Sequence, residues 1–537
     1  VRIHPISRRQ TARQALLPVC ALLAVCALLA GCEVGPDYHP PAPPAAAGYA
    51  PHALPRQTAG TRPGGEIPQT LSSGADLAGD WWTLFRSPEL DALVARALAR
   101  SPTLQAAQAT LLEAKETAAA AAGGLFPVLS AAFGYTHQRL ALGGFGSSGT
   151  TNTLGSGTTG TTGTGAGSAA SSFITSQSVY DLWNAGLNVS YTIDAWGGVR
   201  RGIEQARANA DAQHFALEAA YLTLTTNVVA AAIAEASLRA QIEATEDVLR
   251  AEQDGLRIVS AQLQAGAVTR AVYLQQQAQL LATEATLPTL RSQLAQERTV
   301  LIDYVGAFPN QRIGPDFDLS RLALPADLPV SLPSSLVAQR PDIQQSAAQL
   351  HAATAAVGVA TANLLPQIAL TGSYGSEGFT LGQLFSGPAS LAYSIGASLT
   401  QPIFEGGTLV HRKRAAVAAM QAAAATYRGT VLDAFANVAE ALQALQFDAT
   451  ALNVALASAD AARESLGLQR VQYRAGAVNY LAVLTAEQTE QTALVTLAKA
   501  RAARYSDTVS LFQSLGGGWW HRADVAPAVA RCCALLP

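Results

Sequence analysis

The chain has 537 residues, is 49% hydrophobic and only 14% charged, and carries a net charge of −3. With no like-charge block beyond Arg412-Lys413-Arg414, that balance excludes a nucleic-acid footprint. The length would ordinarily imply three or four domains, but two interleaved copies of one pattern argue for a single elongated unit with a core assembled across the copies. At the amino terminus Arg2, Arg8, Arg9 and Arg13 precede an apolar run from Ala15 to Ala30, the layout of a secretory signal peptide, so 1–31 is expected to be removed. The run falls short of the roughly 20 residues a spanning helix needs.

The run ends in Leu29-Ala30-Gly31-Cys32, which resembles a bacterial lipobox; Cys32 would become the first mature residue and carry N-palmitoyl and S-diacylglycerol groups. Glu33 rather than Asp follows it, which resembles lipoproteins sorted to the outer membrane. Cys20 and Cys26 would leave with the signal, so only Cys532 and Cys533 remain, adjacent in a tail, 521–537, read as dispensable. Residues 32–75, rich in Pro, read as a lipidated extended tether. A first repeat is then expected over 76–306, a linker over 307–335 and a second repeat over 336–520.

Periodic segments begin after Arg86-Ser87-Pro88, where Pro suits a first helical turn. Pro102 to Ala122 and Pro341 to Asn363 read as short helices, one in each half. Val199 to Gln264 contains no Pro, and a helix of about 64 residues spans about 96 Å. Its apolar positions Leu217, Tyr221, Leu224, Val228, Ala231, Leu238, Ile242, Leu249, Leu256, Val259 and Leu263 follow a coiled-coil spacing, interrupted by polar Glu235, Thr245 and Glu252. Flanking alanines such as Ala206, Ala210 and Ala234 let helices approach on a second side, which builds a wall rather than a rod. The path returns through Tyr273 to Val305; Leu409 to Gln472 and Tyr480 to Leu515 repeat the out-and-back course.

The two halves share landmarks. Leu263-Gln264-Ala265-Gly266-Ala267-Val268-Thr269 returns about 210 residues later as Tyr473-Arg474-Ala475-Gly476-Ala477-Val478-Asn479. Phe126-Pro127 returns as Leu365-Pro366, and Gly197-Gly198 as Gly406-Gly407. The first half carries about thirty extra residues, the Gly/Ser/Thr-rich run Ala141 to Ser172. Each half also has two alternating runs, expected as strands near 128–136, 186–194, 367–374 and 393–401. Leu129, Ala131, Phe133 and Tyr135 oppose Ser130, Ala132, Gly134 and Thr136; Leu187, Val189, Tyr191 and Ile193 oppose Asn188, Ser190, Thr192 and Asp194. Apolar on one face and small or polar on the other is the lipid-out, water-in pattern of a transmembrane β-barrel. Four strands cannot close a barrel and open edges cannot face lipid, so the chain is expected to oligomerise; three copies give twelve strands.

These motifs together resemble the TolC-like outer-membrane efflux proteins, in the lipoprotein branch typified by NodT and OprM. The resemblance is carried by Cys32 through Tyr38, Asp80-Trp81-Trp82 with Phe85, Ile193-Asp194-Ala195-Trp196-Gly197-Gly198 with Arg200-Arg201, Gln339-Arg340-Pro341-Asp342-Ile343, Ala360 through Pro366, Gln401-Pro402-Ile403-Phe404 with Gly406-Gly407, and Leu515-Gly516-Gly517-Gly518-Trp519-Trp520. It implies a mixed fold, an all-α coiled coil plus a transmembrane β-barrel, built from a duplicated helix-strand-strand-helix repeat. A homotrimer would form a twelve-stranded outer-membrane β-barrel and a long periplasmic α-helical barrel. It also implies a channel subunit of a tripartite efflux system, passively conducting cargo delivered by a periplasmic adaptor and an inner-membrane pump, with no cofactor and no metal. The turns at Ala265, Gly266, Ala267, Ala475, Gly476 and Ala477 would meet the adaptor.

In that family the helical tips close the tunnel, often with a ring of carboxylates. Here the corresponding positions are Val272 and Thr485, neither ionisable, while Tyr473 matches a position used for hydrogen bonding between helices. Arg270 and Arg474 are nearby donors, and Glu487 is the nearest acid, able to restore a ring if it points inward. A weaker focusing field, weaker cation selectivity and weaker multivalent-cation block are expected. An enzyme is disfavoured because His137, His214, His351 and His411 are scattered without ligand spacing and no phosphate-binding loop or nucleophile order stands out. A structural, non-conducting coiled-coil lipoprotein of the envelope would explain the lipid and helices but not the four strands; protein secretion is the alternative within the channel class.

Overall fold

The computed structural model describes residues 33–44, 48–50, 55–60, 68–139, 179–311, 314, 316–387 and 390–522. The signal segment, Cys32, the Gly/Ser/Thr-rich insert and Cys532-Cys533 lie outside the described residues. In chain order the elements are β1 (Thr70–Ser73), α1 (Pro88–Arg100), α2 (Pro102–Ala122), β2 (Val128–Arg139), β3 (Val179–Ile193), α3 (Gly198–Gln264), α4 (Arg270–Glu284), α5 (Thr286–Tyr304), β4 (Asp327–Val330), α6 (Pro333–Gln339), α7 (Pro341–Ala362), β5 (Gln367–Gly378), β6 (Leu391–Thr400), α8 (Thr408–Arg474) and α9 (Tyr480–Ser514). Helix, two strands, a very long helix and a return path thus occur twice. Both long helices have 67 residues, about 100 Å each at the α-helical rise.

By contacts the chain divides into two units, each drawn from both sequence halves. The first comprises Val1–Asp37, Ala119–Glu204 and Ala355–Val417 and contains the four-stranded antiparallel sheet in the order β2-β3-β5-β6. Register explains its two faces. Leu129 lies opposite Val189, Val189 opposite Gly372 and Gly372 opposite Ile395, an apolar row. The neighbouring row, Ser130, Asn188, Ser373 and Ser394, is polar, with the Ser373 and Ser394 hydroxyls 2.8 Å apart. Because side chains alternate with period two, the whole apolar set falls on one side. That side is open: Leu129 is 66% exposed and Ile395 89%. The strands run further than the alternation alone marked, β3 beginning at Val179 rather than near 186.

The strand exits are fastened within this unit. Asp194 accepts from the Val199 and Arg200 backbone N–H groups at 2.9 and 3.0 Å and from Arg200 Nε at 3.2 Å, capping α3 with a charge at its positive end. Trp196 Nε1 donates to the Pro366 carbonyl at 2.7 Å, tying the exit of β3 to the entry of β5. Gly35 has φ +107°, and a Cβ there would sit 2.5 Å from Gly358 Cα, so the chain just after Glu33 lies against α7. Buried Arg201 holds it through Asp37 and also binds Glu204 at 2.7 Å. The Glu33–Asp37 motif is therefore packing, not free tether.

The second unit comprises Tyr38–Ala118, Gln205–Thr354 and Ala418–Pro537. Its main core joins Trp81, Phe85, Leu90, Ile233, Leu301, Leu328, Leu336, Leu442, Leu445 and Phe512. Here too the tether expectation needs correction: β1 pairs in parallel with β4, and buried Gln69 donates to the Pro325 carbonyl and Thr508. Extended Pro-rich backbone still has amides that must be paired, and an edge of two strands pairs them.

Two features of the helices differ from the periodic reading. The first return path breaks at Ala285 instead of running through to Val305, whereas α9 is continuous for 35 residues. Pro288 is the cause, since it has no N–H for the Glu284 carbonyl and its ring crowds that carbonyl. Along α3, Leu217, Val228, Ala231 and Val259 are buried as expected, but so are the interruptions Glu235, Thr245 and Glu252, while Leu238, Ile242, Leu249, Leu256 and Leu263 are half-buried. The polar groups are tolerated because each has partners: Glu235 takes Arg239 and Arg298, Thr245 donates to the Gln241 carbonyl, and Glu252 accepts from Thr283 and Gln279. By length and hydropathy α3 could cross a membrane, yet half of its most apolar window is buried in protein. The exposed apolar surface of the sheet is the membrane-facing candidate.

Candidate functional site at the paired helical turns

Both turns close in the same way. Gly266 and Gly476 have φ of +75° and +73°, a left-handed conformation that favours glycine. Ala267 N–H donates to the Gln262 carbonyl at 2.8 Å and Gly266 N–H to Leu263 at 3.0 Å; Ala477 donates to Gln472 and Gly476 to Tyr473, both at 2.9 Å. This double bond pattern ends a helix and satisfies its last carbonyls. The next helices start differently: Asn479 Oδ1 accepts from Ala482 N–H, whereas the Thr269 side chain makes no such bond. Ala265, Gly266, Ala267, Ala475, Gly476 and Ala477 are all exposed.

Behind the turns lies a small apolar cluster of Val259, Leu466, Tyr480, Val483, Leu484 and Ala486, against which Val268, Val272, Tyr273 and Tyr473 pack. It draws on α3, α4, α8 and α9, so it joins the two hairpins. Tyr473 donates its hydroxyl to Gln262 Oε1 at 2.8 Å, a link between the ends of the two long helices, and its ring meets Tyr480 edge-on at 5.1 Å. Val272 is half-buried in this cluster, and Thr485 is exposed with its hydroxyl turned back to the Leu481 carbonyl at 3.0 Å. Arg270 and Arg474 are exposed.

Glu487 does not lie free at the surface. It is 5% exposed, and its Oε1 accepts from Arg470 Nη2 at 3.1 Å. Burial pushes its carboxyl pKa up, and Arg470 only partly offsets that. Glu252 is raised in the same way by burial, partly offset by its bonds from Thr283 and Gln279. Tyr480 is raised by burial and then by the Glu487 charge. Sequence reasoning missed Gln262 and Arg470 altogether, named Tyr480 only as the start of a return helix and Glu252 only as an interruption of the apolar seam. A buried polar break in a coiled-coil pattern, facing another on the returning helix, was the available signal. Among the described residues no three His, Cys, Asp or Glu gather in a metal-binding arrangement.

The model of the outer membrane efflux protein family matches residues 93–307 and 332–517. The chain is 30% identical over 452 residues to the pyoverdine export outer membrane protein OpmQ of Pseudomonas aeruginosa, covering 84% of this chain and 90% of that one. It is 29% identical over 343 residues to the cation efflux system protein CusC of Escherichia coli, covering 63% and 73%. Its fold is similar to that of the solved outer-membrane channel OprN, with a TM-score of 0.76 at 24% identity, covering 91% of this chain and 100% of that one.

Proposed function

Because this chain belongs to the outer membrane efflux protein family, we propose that its paired helical turns form the periplasmic gate and adaptor contact of the channel. The protein is an outer-membrane channel subunit of a tripartite efflux system, lipoprotein in type, working with a periplasmic adaptor and an inner-membrane pump. The single observation that carries the membrane assignment is the four-stranded sheet whose apolar side is exposed and whose edge strands β2 and β6 pair with no further strand among the described residues. Backbone groups on such edges cannot be left unpaired in lipid. Closure by three copies into a twelve-stranded barrel pairs them.

The gate reading is supported by the Tyr473–Gln262 bond, which must lengthen if the two hairpins of one chain separate. The exposed Ala-Gly-Ala turns offer small side chains and a smooth surface, suited to close approach by another helical hairpin. Cys32 is the lipidation site on the lipobox pattern. The chain carries out no reaction; energy comes from the pump. The cargo named for its relatives is pyoverdine for OpmQ and cations for CusC.

The purified trimer in a planar bilayer should conduct ions, and cysteines placed at Ala267 or Ala477 should crosslink to the adaptor in cells. Absence of any conductance, with the trimer intact, would instead favour a structural envelope lipoprotein.

A further inference from the structure

The layer of polar groups behind the turns is short of hydrogen-bond donors. Thr283 Oγ1 and Gln279 Nε2 both donate to Glu252 Oε1, at 3.0 and 3.3 Å, and Gln276 Nε2 donates to the Glu252 carbonyl at 3.2 Å. Arg470 is spent on Glu487 Oε1. Three buried oxygens then meet no donor among the described residues: Glu252 Oε2, Gln276 Oε1 and Glu487 Oε2. Glu252 and Gln276 are 0% exposed. All three residues sit on helices that pack into one cluster behind the turns, where a Cβ at Gly255 would lie 2.7 Å from Tyr480 Oη and 3.3 Å from Gln276 Nε2.

An ionised carboxylate only accepts, whereas a protonated one supplies an O–H donor. Protonation therefore removes one unmet acceptor and creates a donor in the same step, and leaving the oxygens unmet in a buried seam is costly. We propose that the closed hairpins hold a proton in the Glu252–Glu487 layer and release it when they part, so that acid favours the closed mouth and alkali weakens it. The role of that mouth rests on the channel reading above; the proton does not.

Among the described residues, the charged and titratable groups facing the layer are Arg470 and Tyr473 from α8 and Tyr480 and Glu490 from α9, while Glu252 is acted on by Thr283, Gln279 and the Glu487 charge. Burial raises both acids, which agrees with a retained proton. The sign follows from linkage. Once the hairpins part, water restores the usual carboxylate range and the proton leaves, so the opening equilibrium gains up to about tenfold per pH unit for each proton lost. That gain stops above the raised pKa of the closed state.

The test is hydrogen exchange of the full-length trimer from pH 5.5 to 8.5, read as protection factors over 248–275 and 466–490 so that the intrinsic base dependence of exchange is removed. Protection should fall as pH rises in the wild type, and Glu252→Gln with Glu487→Gln, which supply fixed amide donors, should flatten the slope. Each single variant should remove part of it. A flat wild-type profile, an unchanged slope in the double variant, or a dependence on added Na⁺ or Mg²⁺ instead of pH would overturn the proposal. Bilayer conductance of the same samples decides the channel reading separately, since exchange reports hairpin opening whether or not ions pass.

Discussion

Tyr473→Phe removes one hydroxyl and leaves the ring, so its edge-on contact with Tyr480 at 5.1 Å persists while the 2.8 Å bond to Gln262 is lost. Both residues are half-buried, which places Gln262 within reach of water once it loses its partner. The loss per chain should therefore be that of an ordinary neutral hydrogen bond, about 1 kcal/mol. If three chains open together the losses add to about 3 kcal/mol, or roughly a hundredfold in the opening equilibrium. The assay is single-channel recording of open probability in planar bilayers, with Gln262→Ala and the double variant completing a thermodynamic cycle. Gln262→Ala should open the channel by a similar factor, and the double variant by little more than either. Strict additivity, or an open probability for Tyr473→Phe within twofold of wild type, would refute the claim that this bond latches the hairpins.

Ile395→Arg, on the apolar face of β6, should cost about 2–4 kcal/mol near the bilayer midplane and reduce trimer in the outer membrane. Ser394→Arg, one residue away on the polar face, should assemble and change conductance instead, a contrast read from membrane fractions and recordings. Thr485→Asp places a carboxylate at an exposed position and should raise cation selectivity and Mg²⁺ block, measured by reversal potentials. Burial and the neighbouring Asp448 push the Asp507 carboxyl up to about 7. Folded chains then keep a proton that unfolded ones lose above the usual carboxylate range, so stability falls on this account as pH rises from about 4 to 7. Asp507→Asn should flatten that slope in thermal unfolding. Gly476→Ala, which forces a Cβ into a left-handed turn with open space around it, should cost about 1 kcal/mol and lower exchange protection at the turn only.

Much of this architecture was legible in the order of residues because its signals are local. Alternation in 128–136 places Leu129 and Phe133 on one side wherever the strand goes, and the absence of Pro from Val199 to Gln264 allows one long helix. Left-handed glycines end both long helices with one bond pattern, so the repeated Ala-Gly-Ala turns could be read directly. Local signals failed where a partner decides. The sequence showed Glu252 as a flaw in an apolar stripe, and only the returning helix, with Thr283 and Gln279, made it a fully buried, hydrogen-bonded residue there. Glu487 looked like a free acid near a constriction, yet packing of α8 on α9 brought Arg470 to it and closed water out. Periodicity fixes which residues share a face of a helix, but which face meets which partner depends on contacts between residues some 17 to 211 positions apart. Pairing and burial over such separations set the gate's chemistry, and they exist only once the hairpins have packed.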